Sequence, residues 1–306
     1  MQQGYVCGWD GGGTKTQVLC LSCSGAAVAE ASFGPMNLNG ADADTVRKTI
    51  RNAVAFMASV EGGLEACKAL VIGTAGTSNA KLVGFVTDAV REAGYHGALQ
   101  LLGDQEIALA GAIRGAGGVL VAGTGAICCG RGEHGETARV GGYGYLIDDE
   151  GSGYAVGRDM LTAVVRAADG RTPPTALTPL VMAQLHAATV QDIITWLYAP
   201  ATDKKAVAAL TPLMKEALAK QDAAAVAIAD KAARELALLG ITLWKRLGLA
   251  AGELALTGSI LTHFDRIREQ VIQLCHEAYP RMTLLAPRGT AAQGAAQLAL
   301  ALSRQA

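Results

Sequence analysis

The sequence predicts an α/β protein of two domains in which one order of elements, βββαβαβα, is used twice. Three observations predict it. The chain opens with short apolar runs parted by glycine turns, which read as a meander of strands. Apolar segments then alternate with amphipathic ones, the pattern of strand–helix units. Near Gly118 the strand-and-turn opening begins again, so the second half resembles a repeat of the first.

Strands are expected at 5–9, 16–21 and 27–32, each bounded by glycine. A helix over 44–59 follows from Val46, Ile50, Val54 and Met57 at helical spacing. A strand at 69–72, a helix near 80–93, a strand at 98–102 and a helix after Asp104 complete the first unit. In the second, strands at 119–122, 126–130 and 138–140 lead through a glycine-rich loop to an alanine-rich helical stretch over 154–249. Pro173-Pro174 and Thr211-Pro212 break or start helices there. A strand at 253–257, a helix at 264–278, a strand at 283–285 and a helix at 291–302 end the chain. The expected boundaries are an N-terminal domain over 1–116, a C-terminal domain over 117–290, and a last helix over 291–306 that packs back on the N-terminal domain.

Composition excludes several function classes. Of 306 residues, 51% are hydrophobic and 17% charged, which is a globular balance. A net charge of −1 without a basic cluster argues against nucleic acid or an anionic membrane as partner. No apolar run reaches the length of a membrane span, and the start of the chain reads as a strand, not a leader, so the expected location is the cytoplasm. Seven scattered cysteines are no disulfide framework. Cys20 and Cys23 have CxxC spacing without a second pair, and Cys128-Cys129 lie adjacent on a strand, where their side chains point to opposite faces. The five histidines show no metal-ligand spacing, and there is no GxxxxGK[ST] sequence, which removes the P-loop kinases.

Two glycine turns carry the chemistry. Asp10-Gly11-Gly12-Gly13-Thr14-Lys15-Thr16 and Ala122-Gly123-Thr124-Gly125 each end an apolar run. Small residues, backbone N–H groups and hydroxyls let phosphate oxygens approach closely, and Asp10 can hold Mg²⁺ through water. Lys15 offers charge to phosphate, although strand alternation can aim it away. Asp104 follows an apolar strand and opens a helix, so it is either an N-cap or a base. Glu106 is the rival carboxylate, two residues along the helix and therefore on another face. Ser259, after Gly258, has the chemistry of a helix N-cap.

Taken in order, Asp10-Gly-Gly-Gly-Thr-Lys-Thr, Gly103-Asp104, Ala122-Gly-Thr-Gly, Gly141-Gly142-Tyr143-Gly144, Asp149-Glu-Gly-Ser-Gly and Leu256-Thr-Gly-Ser-Ile resemble the motif series of the N-acetylglucosamine kinase family, a branch of the actin-like and sugar-kinase ATPases that carries a BadF/BadG-type ATPase domain. The resemblance implies two ribonuclease H-like domains with a cleft between them, the first on the sugar side and the second on the nucleotide side. It implies ATP and Mg²⁺, with Gly123, Thr124, Gly125, Gly258 and Ser259 on the nucleotide and Asp104 as the catalytic base. It implies a sugar held by Asn37, Thr74, Gly76, Asp104, Thr124, Gly142 and Asp149, and a homodimer. The expected reaction is phosphorylation of N-acetylglucosamine at its 6-hydroxyl, with glucosamine and N-acetylmuramic acid as alternative acceptors. Three positions depart from the family pattern: Ala126 stands for serine, Asp148 for glycine and Tyr143 for tryptophan. Two other classes remain: an ATPase activator of an acyl-CoA dehydratase, which needs paired cluster-ligating cysteines, and a sugar-sensing binder without turnover.

Overall fold

Strand Tyr5–Gly11 (β1) is apolar on both faces because both faces are covered. Tyr5, Cys7 and Trp9 enter one core, and Val6 enters another. That two-sided burial is the reason its sequence is a continuous apolar run. The computed structural model describes residues 4–38 and 41–305, and the chain divides into two units. Unit 1 holds residues 1–114 and 287–306, and unit 2 holds 115–286.

In unit 1, β1 is followed by Thr16–Ser22 (β2), Ala27–Phe33 (β3), helices Ala43–Ser59 (α1) and Gly63–Ala66 (α2), Cys67–Thr74 (β4), Ala80–Glu92 (α3), Ala98–Gly103 (β5) and Asp104–Ala112 (α4). The sheet order is β3-β2-β1-β4-β5, antiparallel through β1–β2–β3 and parallel through β1–β4–β5. Helix α1 buries Val46, Ile50, Val54 and Met57, the spacing read from the sequence, on the Cys7–Trp9 face. Its first turn is capped by Asp42, which accepts the Thr45 N–H at 2.9 Å.

The opposite face is closed by the C-terminal helix, Ala291–Ser303, which buries Ala292, Ala295, Ala296 and Ala299 with Val6, Val71 and Ile107. Its backbone lies directly on β1: a Cβ at Gly8 would fall 2.0 Å from the Ala296 nitrogen. It crosses α4 equally closely, since a Cβ at Gly294 would fall 2.0 Å from the Ile107 carbonyl oxygen. Small residues on both elements make this approach possible.

Unit 2 repeats the sheet. Strands Gly117–Ala122 (β6), Ala126–Arg131 (β7) and Thr137–Gly141 (β8) are followed by helices Gly153–Ala168 (α5), Leu177–Gln184 (α6), Val190–Leu197 (α7), Lys204–Ala208 (α8), Met214–Ala219 (α9) and Ala223–Leu247 (α10). Then come Gly252–Thr257 (β9), Ser259–His263 (α11), Asp265–Ala278 (α12) and Met282–Leu285 (β10). The order β10-β9-β6-β7-β8 mirrors the first sheet, with β6 in the place of β1. The stretch read only as helical resolves into six helices, with a 3₁₀ turn at Thr211–Leu213 where Pro212 stands. Among the described residues no helix is long and apolar enough to cross a membrane.

Candidate functional site

Strand register assembles the unit 1 site. Asp10 pairs with Gly73 and Gly11 with Thr74, while Thr74 pairs with Gly103 on the next strand. The carboxyl ends of three parallel strands therefore bring Asp10, Thr74 and Asp104 together at one edge, where α/β sheets bind ligands. Asp10 is partly buried, and its carboxyl pKa is raised, first by burial and then by the charge of Asp104, with Lys15 acting in the opposite sense. Two carboxylates that repel each other suit a hard divalent cation, and Mg²⁺ arriving with phosphates needs only one or two of them.

The structure separates the two acids of α4. Gly103 is the N-cap, and Glu106 reaches back to accept the Gly103 N–H at 2.7 Å. Asp104 is the first helical residue, exposed, and accepts only the Gln105 N–H, at 2.9 Å, among the described residues. Asp104 is thus not the cap; Glu106 does that work and leaves Asp104 free to face outward.

In the first turn three carbonyls are consumed inside the fold. The Gly11 carbonyl accepts from the Thr74 hydroxyl (3.1 Å), the Gly12 carbonyl from the Met36 N–H (3.0 Å) and the Lys15 carbonyl from the Gly12 N–H (3.0 Å). The N–H groups of Gly13, Thr14 and Lys15 have no partner among the described residues, and all three are exposed. Three successive open N–H groups can receive an anion. Gly11 and Gly12 are small because Met36 and the Lys15 carbonyl crowd them, but a Cβ at Gly13 would meet nothing within 4 Å. Met36 packs under Gly11, which puts partly buried Asn37 just beyond the turn. Two threonines differ from expectation. Thr16 is buried, with its hydroxyl donated to the Gly34 carbonyl at 2.9 Å, and buried Thr74 is spent on Gly11, so neither hydroxyl reaches outward. Gly76 forms the turn after β4, where its carbonyl accepts the Asn79 N–H at 2.9 Å.

Unit 2 repeats this device. The carbonyls of Gly123, Thr124 and Gly125 accept from Gly153 (2.7 Å), Tyr154 (3.2 Å) and Gly123 (2.9 Å), so the turn sits on the first residues of α5. The N–H groups of Thr124 and Gly125 stay unbonded among the described residues, and a Cβ at Gly123 would again meet nothing within 4 Å. Gly123 and Thr124 line a cavity of about 270 Å³ with Ser259, Lys205, Lys215 and Phe264. The Lys215 ammonium lies 5.4 Å from the centre of the Phe264 ring. Gly258 also has a role inside the fold. It is the N-cap of α11 at φ 95°, and a Cβ there would fall 2.4 Å from the Ala122 carbonyl oxygen, so its smallness serves the fold, and Ser259 is the first helical residue, not the cap.

Asp149 is 6% exposed and has φ 61°. Its carboxylate lies against Gly125, where a Cβ would fall 2.8 Å from Oδ2, and its one hydrogen bond among the described residues is a 3.3 Å contact from the Ala126 N–H. A buried carboxylate with most of its acceptor capacity unused calls for further donors. Asp148 braces the preceding loop by accepting the Tyr143 N–H at 3.1 Å. Gly142 lies in that loop, its carbonyl taken by the Arg139 guanidinium, which also stacks over the exposed Tyr143 ring at 5.1 Å. Lys205 and Lys215 were missed by sequence reasoning, because lysines in an alanine-rich helical stretch carry no local sign of a ligand. Cys128 is fully buried while Cys129 is on the other side of β7, so this pair offers no joint ligand set.

The chain is 31% identical over 299 residues to an N-acetylmuramic acid/N-acetylglucosamine kinase of Clostridium acetobutylicum, covering 96% of this chain and 98% of the relative. It is 28% identical to an N-acetyl-D-glucosamine kinase of Dictyostelium discoideum, covering 98% and 99%. A solved structure from Chromobacterium violaceum, provisionally assigned as an N-acetylglucosamine kinase, matches with a TM-score of 0.66 at 23% identity over 97% and 99% of the two chains. That match and the doubled sheet order show the two-domain actin-like ATPase fold expected from the motifs. The model of the BadF/BadG/BcrA/BcrD ATPase family matches residues 7–299, and the chain belongs to that family.

Proposed function

We propose that this protein is an ATP-dependent sugar kinase that transfers the γ-phosphoryl group to the 6-hydroxyl of N-acetylglucosamine, with Asp104 as the base. The observation that carries the reading is the free carboxylate of Asp104, relieved of capping by Glu106 and set beside Asp10 at the end of the parallel strands. The names of the two curated relatives support an amino sugar as acceptor. The Clostridium relative is named for both substrates, which makes N-acetylmuramic acid the second acceptor to test.

Each group then has a role. The open N–H groups at residues 13–15 and 124–125 bind phosphate oxygens, with Lys15 adding charge. Lys205, Lys215 and Ser259 surround the nucleotide. Mg²⁺ held through water by Asp10 would neutralise the phosphate chain. Asn37 and Asp149 hold the sugar, Asp149 by charge-assisted bonds from two hydroxyls. Asp104 accepts a hydrogen bond from the attacking hydroxyl and aims it in line. A sugar alcohol is a weak acid, so its proton moves late and orientation is the larger part of the work. The homodimer implied by the motif resemblance belongs to this proposal.

The test is an assay coupled to ADP release across N-acetylglucosamine, N-acetylmuramic acid, glucosamine and glucose. N-acetylglucosamine is expected to give the highest kcat/KM. Asp104→Asn should lower kcat about a hundredfold or more while ATP affinity stays near that of the wild type. Undiminished turnover in that variant removes Asp104 as the base, and turnover of glucose alone removes the amino-sugar reading.

A further inference from the structure

Asp149 occupies the left-handed backbone region at φ 61°. Aspartate tolerates that region better than most side chains, and it still costs energy that the surroundings must supply. Those surroundings are specific. The next residue, Glu150, binds Arg158 of α5 at 2.9 Å and Lys231 of α10 at 3.1 Å. The same two cations bind Asp159, at 3.0 and 2.8 Å. Two cations and two carboxylates thus alternate in a closed ring that ties two helices to the turn carrying Asp149. Beyond the turn, the Ser152 N–H donates to the Asp149 carbonyl at 3.1 Å, and the Ser152 hydroxyl accepts the Ala155 N–H at 3.2 Å. Asp149 is therefore anchored through the residues that follow it, while its own carboxylate makes one long hydrogen bond.

An isolated exposed ion pair contributes little to stability. This ring differs in being partly buried, shared among four groups and closed on one backbone turn. Its geometric effect is to remove the freedom of Glu150, and with it the freedom of the residue before.

We propose that Glu150, gripped by Arg158 and Lys231, is a positioning residue that presents the Asp149 carboxylate to the sugar, and that the ring sets sugar affinity without touching sugar or nucleotide. This rests on the reading of Asp149 as a sugar contact.

The test measures KM for N-acetylglucosamine and for ATP separately, with melting temperature, in Glu150→Ala, Lys231→Met and the conservative Lys231→Arg. Glu150→Ala and Lys231→Met should raise the sugar KM about tenfold and leave the ATP KM within about twofold, the scale of a small misplacement of a binding group. Lys231→Arg, which can still bridge Glu150 and Asp159, should restore the sugar KM. A lowered melting temperature with an unmoved sugar KM would show a purely structural ring and overturns the proposal. So does an equal rise in both KM values. A wild-type protein that phosphorylates no sugar defeats the kinase reading and this inference together, whereas failure confined to the variants defeats this inference alone.

Discussion

At Asp10 folding works against charge. Burial and the neighbouring Asp104 raise its pKa, so the folded state holds this proton more tightly than the unfolded chain does. The stability linked to Asp10 is then fully present below the ordinary aspartate value and is lost as pH rises through the raised value. At neutral pH without nucleotide, Asp10→Asn should melt higher than the wild type, and the gap should close as the pH falls below the ordinary aspartate range. The same variant should lose the stabilisation that Mg²⁺–ATP gives the wild type, because the relieved repulsion is what the cation would use. Thermal melts across pH, with and without Mg²⁺–ATP, check both halves. Asp149 stores strain of another kind. Asp149→Gly removes the cost of a left-handed backbone, whereas Asp149→Ala keeps it, so the glycine variant should be the more stable of the two by about 1 kcal/mol. Both should lose sugar phosphorylation. Denaturant titration beside the kinase assay separates the two effects.

At the scale of the element, two glycines give opposite predictions. Gly84 lies inside α3, exposed, and a Cβ there would meet nothing within 4 Å. Gly84→Ala should stabilise the protein by about 1 kcal/mol, the helix-propensity difference, without changing activity. Gly8 is the reverse. A Cβ 2.0 Å from the Ala296 nitrogen forces the C-terminal helix off β1, so Gly8→Ala should cost about 3 kcal/mol in chemical denaturation. Neither difference can be read from composition, since both glycines have apolar neighbours in sequence, Cys7 and Trp9 in one case and Val83 and Phe85 in the other. The elements themselves were legible where periodicity was strong. Helix α1 announced itself through Val46, Ile50, Val54 and Met57, and β1 through its apolar run. The one-turn helix α2 is too short to show a period, and α11 showed only as a capping signal at Ser259.

At the scale of the molecule, the chain path sets the order of assembly. Unit 2 is continuous, but unit 1 needs residues 287–306 to complete it. The C-terminal helix supplies Ala292, Ala295, Ala296 and Ala299 to a core that also holds Val6 and Val71. A chain ending before Ala291 should therefore lose amide protection in β1 and β4 while keeping it in β6 and β9. Hydrogen exchange resolved by strand tests this. Equal protection in the truncated and full chains would mean that the helix is dispensable.

The sequence by itself determined the doubled strand–helix order, the two glycine turns and the acids around them, because apolar periodicity and turn chemistry are local properties. Tertiary structure alone decided which polar atoms remain available. Only register puts Asp10 beside Asp104, and only the capping bond from Gly103 to Glu106 tells the two acids of α4 apart. Thr16 and Thr74 resemble ligand hydroxyls in the sequence but are spent on backbone carbonyls. Lys205 and Lys215 have no motif, yet share one cavity with Gly123. A hydrogen bond consumes a donor wherever in the chain its acceptor comes from, so the groups left for a substrate are known only once every long-range partner is in place.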